Sequence, residues 1–557
     1  MRQRLFLALT CTLAVYAFAA KDEEARQFLK QIPKNDRVVQ ALNRLTFGPR
    51  PGDVEQVNKT GINKWIEQQL HPERIAENPA LAEKLKHMDT LRMSTTELVK
   101  HYPTPQMVRQ MANGTMPLPA NPERRRMVQS QIDRSARKQD PNGRPALASQ
   151  FTPEEIRALR QGTPEERRSM LQSMSPEKRA AIAGALGRGA RGGTDPTASP
   201  EQRRQMQRSV APQQVIVRDL AESKILRAVH SNRQLNEVLA DFWFNHFNVF
   251  IDKGADRFLT TAYERDAVRP HVLGKFRDLL EATAKSPAML FYLDNWQSVG
   301  ENTPATRGPA ARQRRGLNEN YGRELLELHT LGVDGGYTQK DVTEAARCFT
   351  GWTINQPQRG GEFLFNPRMH DRGEKTVLGV RIPAGGGMED GLKVLDIVSR
   401  HPSTAKFVSY KLAQRFVADE PPASLVDRMQ QAFLKSDGDI REVMRAMLQS
   451  KEFWSVGAYR SKIKSPFEMV ASAVRAVGGD VDFAFPLVNQ VAQLGQPLYR
   501  KQEPTGYSNS SDAWLNSAGL VARMNFALQL ADGKVPGLKV ADTGQGTALG
   551  SPEFQKR

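Results

Sequence analysis

Residues 235–249 read Leu-Asn-Glu-Val-Leu-Ala-Asp-Phe-Trp-Phe-Asn-His-Phe-Asn-Val, and in this stretch the folding pattern of the chain is clearest. At helical spacing the polar residues form one stripe, and the aromatic residues cover the remaining faces. The stripe consists of Glu237, Asp241, Asn245 and Asn248. So wide an apolar surface predicts a helix that is buried on most sides, at the centre of a helical core.

Helical periodicity continues on both sides of this stretch. Upstream it reaches Val215, with a break predicted near Ser231 and Asn232. Further helices are predicted at Val38–Leu45, Gly61–Leu70, Arg257–Val268, Val272–Ala284, Asn318–Leu331, Gln339–Phe349, Leu392–Arg400, Ser403–Val417, Ser424–Lys435, Asp439–Ser450, Pro466–Val477 and Asp512–Leu530. Thr338 and Asp341 are expected to form a capping box. Two short alternating stretches, Glu362–Phe365 and Thr376–Ile382, are predicted to pair as one hairpin. The fold is therefore predicted to be mainly α, a large multi-helix domain with at most a small β-hairpin.

The first 20 residues have the layout of a secretory signal peptide. Two positive charges precede an apolar run that ends at Phe18, and small residues stand at the cleavage positions before Lys21. That run is shorter than the roughly 20 residues that span a bilayer. We therefore expect cleavage and an extracytoplasmic location, in the periplasm or outside the cell. A membrane anchor and a lipid-modified Cys11 are the alternatives.

Residues 101–214 form a basic segment of low complexity. The chain of 557 residues has a formal net charge of +18, and this segment holds 19 Lys and Arg against 10 Asp and Glu. Its only aromatic residues are Tyr102 and Phe151, so it has little apolar surface to offset the entropy cost of ordering. A solvated linker is the favoured interpretation, and anionic lipid head groups or acidic surface polysaccharide are alternative partners. Nucleic acid is unlikely for an exported segment with so few stacking aromatics.

These observations predict five parts of the chain. They are a signal peptide (1–20), an N-terminal helical part of the core (21–100), the basic insert (101–214), a main helical domain (215–535) and a flexible C-terminal tail (536–557). After cleavage Cys348 is the one remaining cysteine, which excludes an intramolecular disulfide.

Several long motifs, in order along the chain, carry a resemblance to a known family. They are Leu42-Asn-Arg-Leu-Thr-Phe-Gly-Pro-Arg50, Asp241-Phe-Trp-Phe-Asn-His-Phe-Asn-Val-Phe250, Tyr263-Glu-Arg-Asp266, Asn318-Glu-Asn-Tyr-Gly-Arg-Glu-Leu-Leu-Glu-Leu-His-Thr-Leu-Gly-Val-Asp334 and Cys348-Phe-Thr-Gly-Trp352. With these motifs the chain resembles the bacterial family called domain of unknown function 1800, from about residue 38 to 530. The resemblance implies export and an exported partner of the phosphatase/sulfatase-like type numbered 1501. It implies no reaction and therefore assigns no catalytic residue.

The helix predicted at Asn318–Leu331 offers one set of candidate catalytic residues. Its polar stripe holds two carboxylates and a guanidinium, from Glu324, Glu327 and Arg323, together with the amide of Asn320, which is a candidate for ligand binding. Carboxylates three residues apart on a helix lie close enough to couple their protonation or to share a divalent ion. His329 points away from this stripe, which departs from the Glu-x-x-His spacing of di-iron bundles. A solvated charged face is the competing interpretation.

Histidines provide a second set of candidate catalytic residues. His246 lies among the aromatic residues of the opening stretch, where a hydrogen-bonded core histidine is the simplest interpretation. Alternatively, the two polar stripes face each other across a buried cleft, where Asp241 and Asn245 bind a ligand and His246 or His271 carries protons. Near the predicted hairpin, His370-Asp371 and Lys375 are either part of a turn or the edge of a site.

Two hypotheses for the function remain. The sequence contains no Gly-x-Ser-x-Gly, no His-Glu-x-x-His and no dinucleotide-binding fingerprint. The favoured hypothesis is a binding or assembly factor that acts in the cell envelope with an exported partner or an anionic surface polymer. The alternative is a hydrolase or other enzyme with a carboxylate and histidine site, with or without a metal, on a glycan or ester substrate. Neither a cofactor nor a metal can be assigned from the sequence.

Overall fold

The computed structural model confirms the predicted fold class. Of the residues that the structure describes, 59% are helical, and the strands among them form only short antiparallel pairs. None of the described helices is both long and apolar enough to span a lipid bilayer. The structure describes residues 25–139, 212–301, 316–540 and 546–557, together with Thr152, Glu155, Met170, Ser173, Met174 and Thr303. The predicted signal peptide and most of the basic insert lie outside these residues.

The chain divides into two compact units. The first, here called the core unit, comprises Met1–Val99 and Ile216–Arg557, and the second is Lys100–Val215. In the second unit the described helices within its bounds are Pro105–Ala112 and Pro122–Gln139. Helices Thr95–His101 and Pro212–His230 cross the boundaries between the units. The five predicted parts of the chain remain predictions.

The remaining helices belong to the core unit. The α-helices are Lys34–Leu45, Asp53–Thr60, Ile62–Leu70, Pro79–Lys86, Gln234–His246, Asp256–Ala262, Phe276–Lys285, Pro287–Tyr292, Asn320–Glu324, Gln339–Cys348, Glu389–Ser399, Pro402–Phe416, Ala423–Lys435, Ile440–Leu448, Pro466–Ala476, Phe485–Gln493, Ser517–Ala531, Gly546–Leu549 and Pro552–Gln555. Short 3-10 turns lie at Pro72–Arg74, Asp89–Leu91, Arg269–His271, Asn295–Gln297, Pro357–Arg359 and Ser511–Trp514. The break predicted near Ser231 is confirmed, and so is the capping box of Thr338 and Asp341.

The opening stretch of the sequence forms the centre of the core, as its aromatic residues predict. Trp243 is completely buried, and its indole nitrogen donates a hydrogen bond to the backbone oxygen of Val272, at 3.1 Å. The rings of Phe242 and Phe276 lie 4.9 and 5.9 Å from that of Trp243. The aromatic side chains of the helix Gln234–His246 thus pack within the core. Its polar stripe contacts other segments of the chain.

The predicted pairing of the strands is wrong. The strands are β1 (Trp352–Ile354), β2 (Phe363–Phe365), β3 (Lys375–Val377), β4 (Val380–Ile382), β5 (Asp480–Val481) and β6 (Leu538–Lys539). β1 pairs with β2, β3 with β4 and β5 with β6, each antiparallel. The segment Thr376–Ile382 folds back on itself because Leu378 and Gly379 both have positive φ angles, of 49° and 76°. This conformation makes a two-residue hairpin turn, which the hydrophobic alternation did not reveal.

The helix predicted at Asn318–Leu331 changes its winding part-way. An α-helical turn, Asn320–Glu324, is followed by a π-helical segment, Leu325–Thr330. Accordingly, the backbone nitrogen of Leu331 donates to the oxygen of Leu326, five residues earlier, at 2.9 Å. The wider turn alters which residues share a face, so the stripe calculated for a regular α-helix does not continue unchanged beyond Glu324.

Within the segment predicted to be a flexible tail, residues 546–557 pack against the rest of the core unit. Arg557 is 4% exposed. Its backbone nitrogen donates to the oxygen of Lys462 at 2.8 Å, and its guanidinium donates to the backbone oxygen of Arg415 at 2.9 Å.

Candidate functional site

The polar stripe of helix Gln234–His246 borders a small cavity, here called the Asp241 cavity. Asp241 and Asn245 line it from this helix, opposite residues from the last hundred of the chain. Lys224 pairs with Asp241 at 2.7 Å, and a carboxylate oxygen of Glu468 lies 2.5 and 2.7 Å from guanidinium nitrogens of Arg415 and Arg557. The Asp241 cavity has a volume of about 50 Å³. Since a water molecule needs roughly 10–15 Å³, this space suits a few waters better than a ligand.

The amides of the stripe hold the helix to the C-terminal part of the core unit. The Asn245 side chain accepts from the backbone nitrogen of Tyr507 at 2.6 Å and donates to its backbone oxygen at 2.7 Å. Asn248 donates to the backbone oxygens of Lys501 and Glu503 at 2.9 and 3.0 Å. The bonds of Asn245 occupy an amide that the sequence suggests for ligand binding.

Glu324 and Glu327 lie half-buried on the segment where the α-helix becomes π-helical. Partial burial raises the pKa of Glu324, the charge of Glu327 raises it further, and Arg323 lowers it in part. Glu327 accepts a hydrogen bond from the Tyr337 hydroxyl at 3.2 Å. One carboxyl of the pair is thus shifted toward its protonated form, while the other accepts a hydrogen bond from a phenol.

Arg323 and Asn320 complete this stripe. The Arg323 guanidinium donates to the side-chain oxygen of Gln339 at 2.8 Å and lies 3.6 Å from a carboxylate oxygen of Glu319. Asn320 begins the α-helical turn, and its backbone nitrogen donates to the Asn318 side chain at 2.9 Å. The two polar stripes therefore make their hydrogen bonds to different parts of the chain.

The candidate histidines make their hydrogen bonds to backbone oxygens. His246 is 5% exposed, and its Nε2 donates to the backbone oxygen of His329 at 3.0 Å. Burial lowers the pKa of His246 well below its usual value, and nearby Lys411 and His329 add to the effect. Burial also lowers the pKa of His329 to about 3. His271 is half-buried, and its Nδ1 donates to the backbone oxygen of Ala267 at 2.9 Å.

The residues beside the β3–β4 hairpin form a buried charged cluster. Lys375 donates to Asp390 at 2.6 Å, and His370 lies 3.1 Å from the same carboxylate oxygen. Burial alone would raise the pKa of Asp390, but the hydrogen bonds from His370 and Lys375 hold it below its usual value. Arg347 binds Asp371 through two hydrogen bonds of 3.0 Å. The cluster attaches the hairpin to the helix Glu389–Ser399.

A larger groove lies at the N-terminal motif, and we call it the Arg50 groove. Its volume is about 430 Å³, which falls within the range of roughly 300–1,000 Å³ for small-molecule sites. Lining residues include Arg50, Asp53, Gln56, Trp65, Gln68, Arg74 and Arg475. By its size, this groove is better suited to a ligand than the Asp241 cavity.

The floor of the Arg50 groove is built by a buried arginine. Arg475 is 1% exposed and donates to the backbone oxygens of Gly48 and Val229 at 2.6 and 2.8 Å. Gly48 has a φ of 96°, and a Cβ there would lie 2.9 Å from that of Ser472. The turn that begins at Gly48 therefore needs glycine, and Arg475 holds it in place.

Positive charge exceeds negative charge along the Arg50 groove. Among its lining residues are three guanidinium groups, of Arg50, Arg74 and Arg475, and one carboxylate, of Asp53. Asp53 is shared, since it lies 3.4 Å from the Nε of Arg50 and 3.2 Å from Arg475. Burial and the charge of Arg50 lower the pKa of Arg475 to about 9, and Asp53 offsets only part of this. An anion in the groove would be attracted to this excess of charge.

Comparison with known proteins supports the family resemblance. A family model described as "Protein of unknown function (DUF1800)" matches residues 40–555. The chain belongs to the DUF1800 family. No curated protein and no solved structure matches it.

The DUF1800 match contains the whole Arg50 groove, which our reading of the sequence missed. The motif Leu42–Arg50 carries the family resemblance, but no binding residue is predicted within it. Arg50 lies within this motif and is a local signal of the groove. The contribution of Arg475 has no such local signal, because it lies more than 400 positions away from Asp53. Among the described residues, no group of three His, Cys, Asp or Glu side chains is arranged to hold a metal ion.

Proposed function

We propose that this DUF1800 protein is an exported binding factor for an acidic polysaccharide of the cell envelope, with the Arg50 groove as its binding site. The observation that carries the proposal is the excess of guanidinium groups over carboxylates in a groove of ligand size. A guanidinium presents two parallel N–H donors to a carboxylate, so arginine suits a polymer of acidic sugars.

Charge around Arg475 supports an anionic ligand. Two guanidinium groups share Asp53, and one of them is almost completely buried. A bound carboxylate would reduce the repulsion between Arg50 and Arg475. The ligand would therefore stabilise the charged form of both guanidinium groups, and these groups would in turn attract the ligand.

The other lining residues suit a sugar. Gln56 and Gln68 are exposed amides, which both donate and accept hydrogen bonds and so match hydroxyl groups. Trp65 is half-buried at the groove and offers an apolar ring surface to the carbon face of a sugar. A phosphate alone would use the arginines but would gain little from these neighbours.

Export supports the choice of an envelope polymer. The charged, apolar and small-residue series of residues 1–20 is typical of a secretory signal, and the family resemblance implies an exported protein. A net charge of +18 favours association with anionic surfaces in general. An exported partner of the phosphatase/sulfatase-like type remains part of this proposal, as a protein that acts together with the binding factor.

Calorimetric titration tests the proposal. We expect the full chain to bind an oligogalacturonate and not a neutral maltooligosaccharide of the same length. Arg74→Ala should weaken binding about tenfold or more, since it removes a charged hydrogen-bond donor. Arg381→Ala is the matched control, because Arg381 is exposed to the same degree as Arg74 and lies on the β3–β4 hairpin. It should bind like the wild type.

Three results would contradict the proposal. They are equal binding of the acidic and neutral sugars, equal loss in the two variants, and binding to phosphatidylglycerol vesicles without binding to the oligosaccharide. The last result would indicate a lipid head group as the ligand.

The hydrolase alternative rests on one observation at a different place. Burial raises the pKa of Glu324, which lies beside Glu327, and a carboxyl with a raised pKa next to a second carboxyl is typical of a general acid. Chromatography of the same oligogalacturonate incubations tests this alternative. Product formation that disappears in Glu324→Gln would support a hydrolase, and an intact oligosaccharide would leave the binding factor as the proposed function.

A further inference from the structure

The helix Ser517–Ala531 is apolar on two opposite faces. Phe526, Ala527 and Leu530 are buried against the core unit. On the other side, Leu520, Val521, Met524 and Leu528 are between 41% and 58% exposed. We call this outer side the outer face of the helix. Large apolar side chains that cluster on the exposed side of a helix are normally covered, so the outer face is expected to contact another surface.

Exposed apolar residues are concentrated at this helix. In the described part of the chain, eleven large hydrophobic side chains are exposed, and five of them lie between Leu515 and Leu528. Single exposed hydrophobic residues need no explanation, but a cluster on one element indicates an interaction surface.

Spacing on the outer face matches that of helices that pair side by side. Ser517, Val521, Met524, Leu528 and Ala531 are exposed and follow one another at intervals of four, three, four and three residues. This is the heptad interval, in which the apolar seam of one helix faces the seam of another. The helix is about 22 Å long and so offers two heptads.

The outer face carries no charge, which favours a second copy of the same chain over a charged partner. Arg523 is the only charged residue of the helix, and it is 2% exposed. Its guanidinium points inward and donates to the Gln555 side chain at 3.0 Å and to the backbone oxygen of Lys464 at 2.8 Å. In a protein with a net charge of +18, a face without charge is one at which two copies can meet without repulsion.

The polar residues of the outer face are able to bind a second copy. Asn525 and Gln529 are exposed amides. An amide both donates and accepts hydrogen bonds, so each of these amides can bind a polar group of a second copy. Met524 is the central residue of the helix and would lie near the two-fold axis between the copies.

We propose that two copies of the chain form a symmetric dimer through the outer faces of their Ser517–Ala531 helices. The interface is isologous, so each helix presents Val521, Met524 and Leu528 to the same residues of the other. This inference goes beyond the proposed function and does not depend on the Arg50 groove.

Sedimentation equilibrium of the full chain at micromolar concentrations tests the dimer. The wild type should sediment as a dimer. Val521→Glu and Leu528→Glu should each weaken dimerisation at least about tenfold, since each places two like charges in an apolar interface. Leu434→Glu is the matched control, because Leu434 is 43% exposed on the helix Ala423–Lys435. It should remain a dimer, and circular dichroism should show that all three variants fold.

Cross-linking provides a second measurement. In a chain with Cys11→Ser, Met524→Cys should form a disulfide-linked dimer under mild oxidation, whereas Leu434→Cys should not. Cys348 is completely buried and does not interfere. A monomeric wild type, a dimer unaffected by Val521→Glu, or the absence of the Met524→Cys cross-link would overturn the proposal.

Discussion

His246 and His329 show how burial determines the chemistry of single residues in this protein. His246 donates to a backbone oxygen of the π-helical segment, and the Nε2 of His329 is buried without a hydrogen-bond partner. The pKa values of both are lowered, mainly by burial. Both rings are therefore neutral at pH 7, and both belong to the aromatic core around Phe247.

These histidines should make the protein less stable in acid. The pKa of His329 is about 3 in the folded chain, against an ordinary value of 6.5. Between these values the unfolded chain binds a proton that the folded chain does not, so the free energy of unfolding falls as the pH falls. For one such group the decrease approaches about 1.4 kcal/mol per pH unit. His329→Phe should reduce this slope when urea unfolding is measured between pH 7 and 4.

The variant His329→Phe distinguishes the contribution of His329 from a general effect of acid on stability. His329→Phe keeps an aromatic ring beside Phe247, so its stability at pH 7 should stay within about 1.5 kcal/mol of the wild type. An unchanged slope in the variant would show that His329 is protonated as easily in the folded as in the unfolded chain.

At the scale of elements, the β3–β4 hairpin depends on a buried ion pair. The side chains of Lys375 and Asp390 are 0% and 2% exposed, and His370 contacts the same carboxylate. The turn of the hairpin could have been read from Leu378-Gly379, whereas its attachment to the helix Glu389–Ser399 required the tertiary structure. Local turn chemistry and long-range ion pairing thus contribute separately to this element.

Replacing only Lys375 of the Lys375–Asp390 ion pair should lower the free energy of unfolding more than replacing both residues. Lys375→Met leaves Asp390 buried with one partner fewer, which should lower the free energy of unfolding by about 3–5 kcal/mol. The double variant Lys375→Met, Asp390→Leu should recover part of that loss, because no uncompensated charge remains. Urea unfolding at pH 7 measures both.

An exposed ion pair on the same hairpin serves as the control. Arg381 and Glu374 lie 2.5 Å apart at the surface, so Arg381→Met should leave the unfolding midpoint almost unchanged. A Lys375→Met midpoint equal to that of Arg381→Met would show that the buried pair does not stabilise the hairpin.

At the scale of the whole molecule, the net charge of the protein and its cellular location determine which molecules it can bind. The chain is strongly basic, and much of the excess lies in residues 101–214. The second compact unit covers this segment, and its predicted role as a solvated linker stays a prediction. The Arg50 groove and the outer face both lie in the core unit, where the first is cationic and the second carries no charge.

Export should remove the N-terminus. The charged, apolar and small-residue series predicts cleavage after Ala19 or Ala20. Intact mass of the protein recovered from the extracytoplasmic fraction should therefore lack these residues. Full-length protein that begins with Met1 and is recovered from the cytoplasm would contradict export and, with it, the choice of an envelope ligand.

The sequence by itself determined the fold class, most helices and the family. Helical periodicity and capping are local, so a break such as that near Ser231 or a cap such as Thr338 can be recognised within a few residues. The tertiary structure alone decided which strands pair, where the polar stripes lie and how the Arg50 groove forms. Those features join residues far apart in the chain, as Asp53 and Arg475 are, and depend on burial that no local pattern specifies. The π-helical segment Leu325–Thr330, which contains His329, belongs with them, because the packing around it determines how the helix winds.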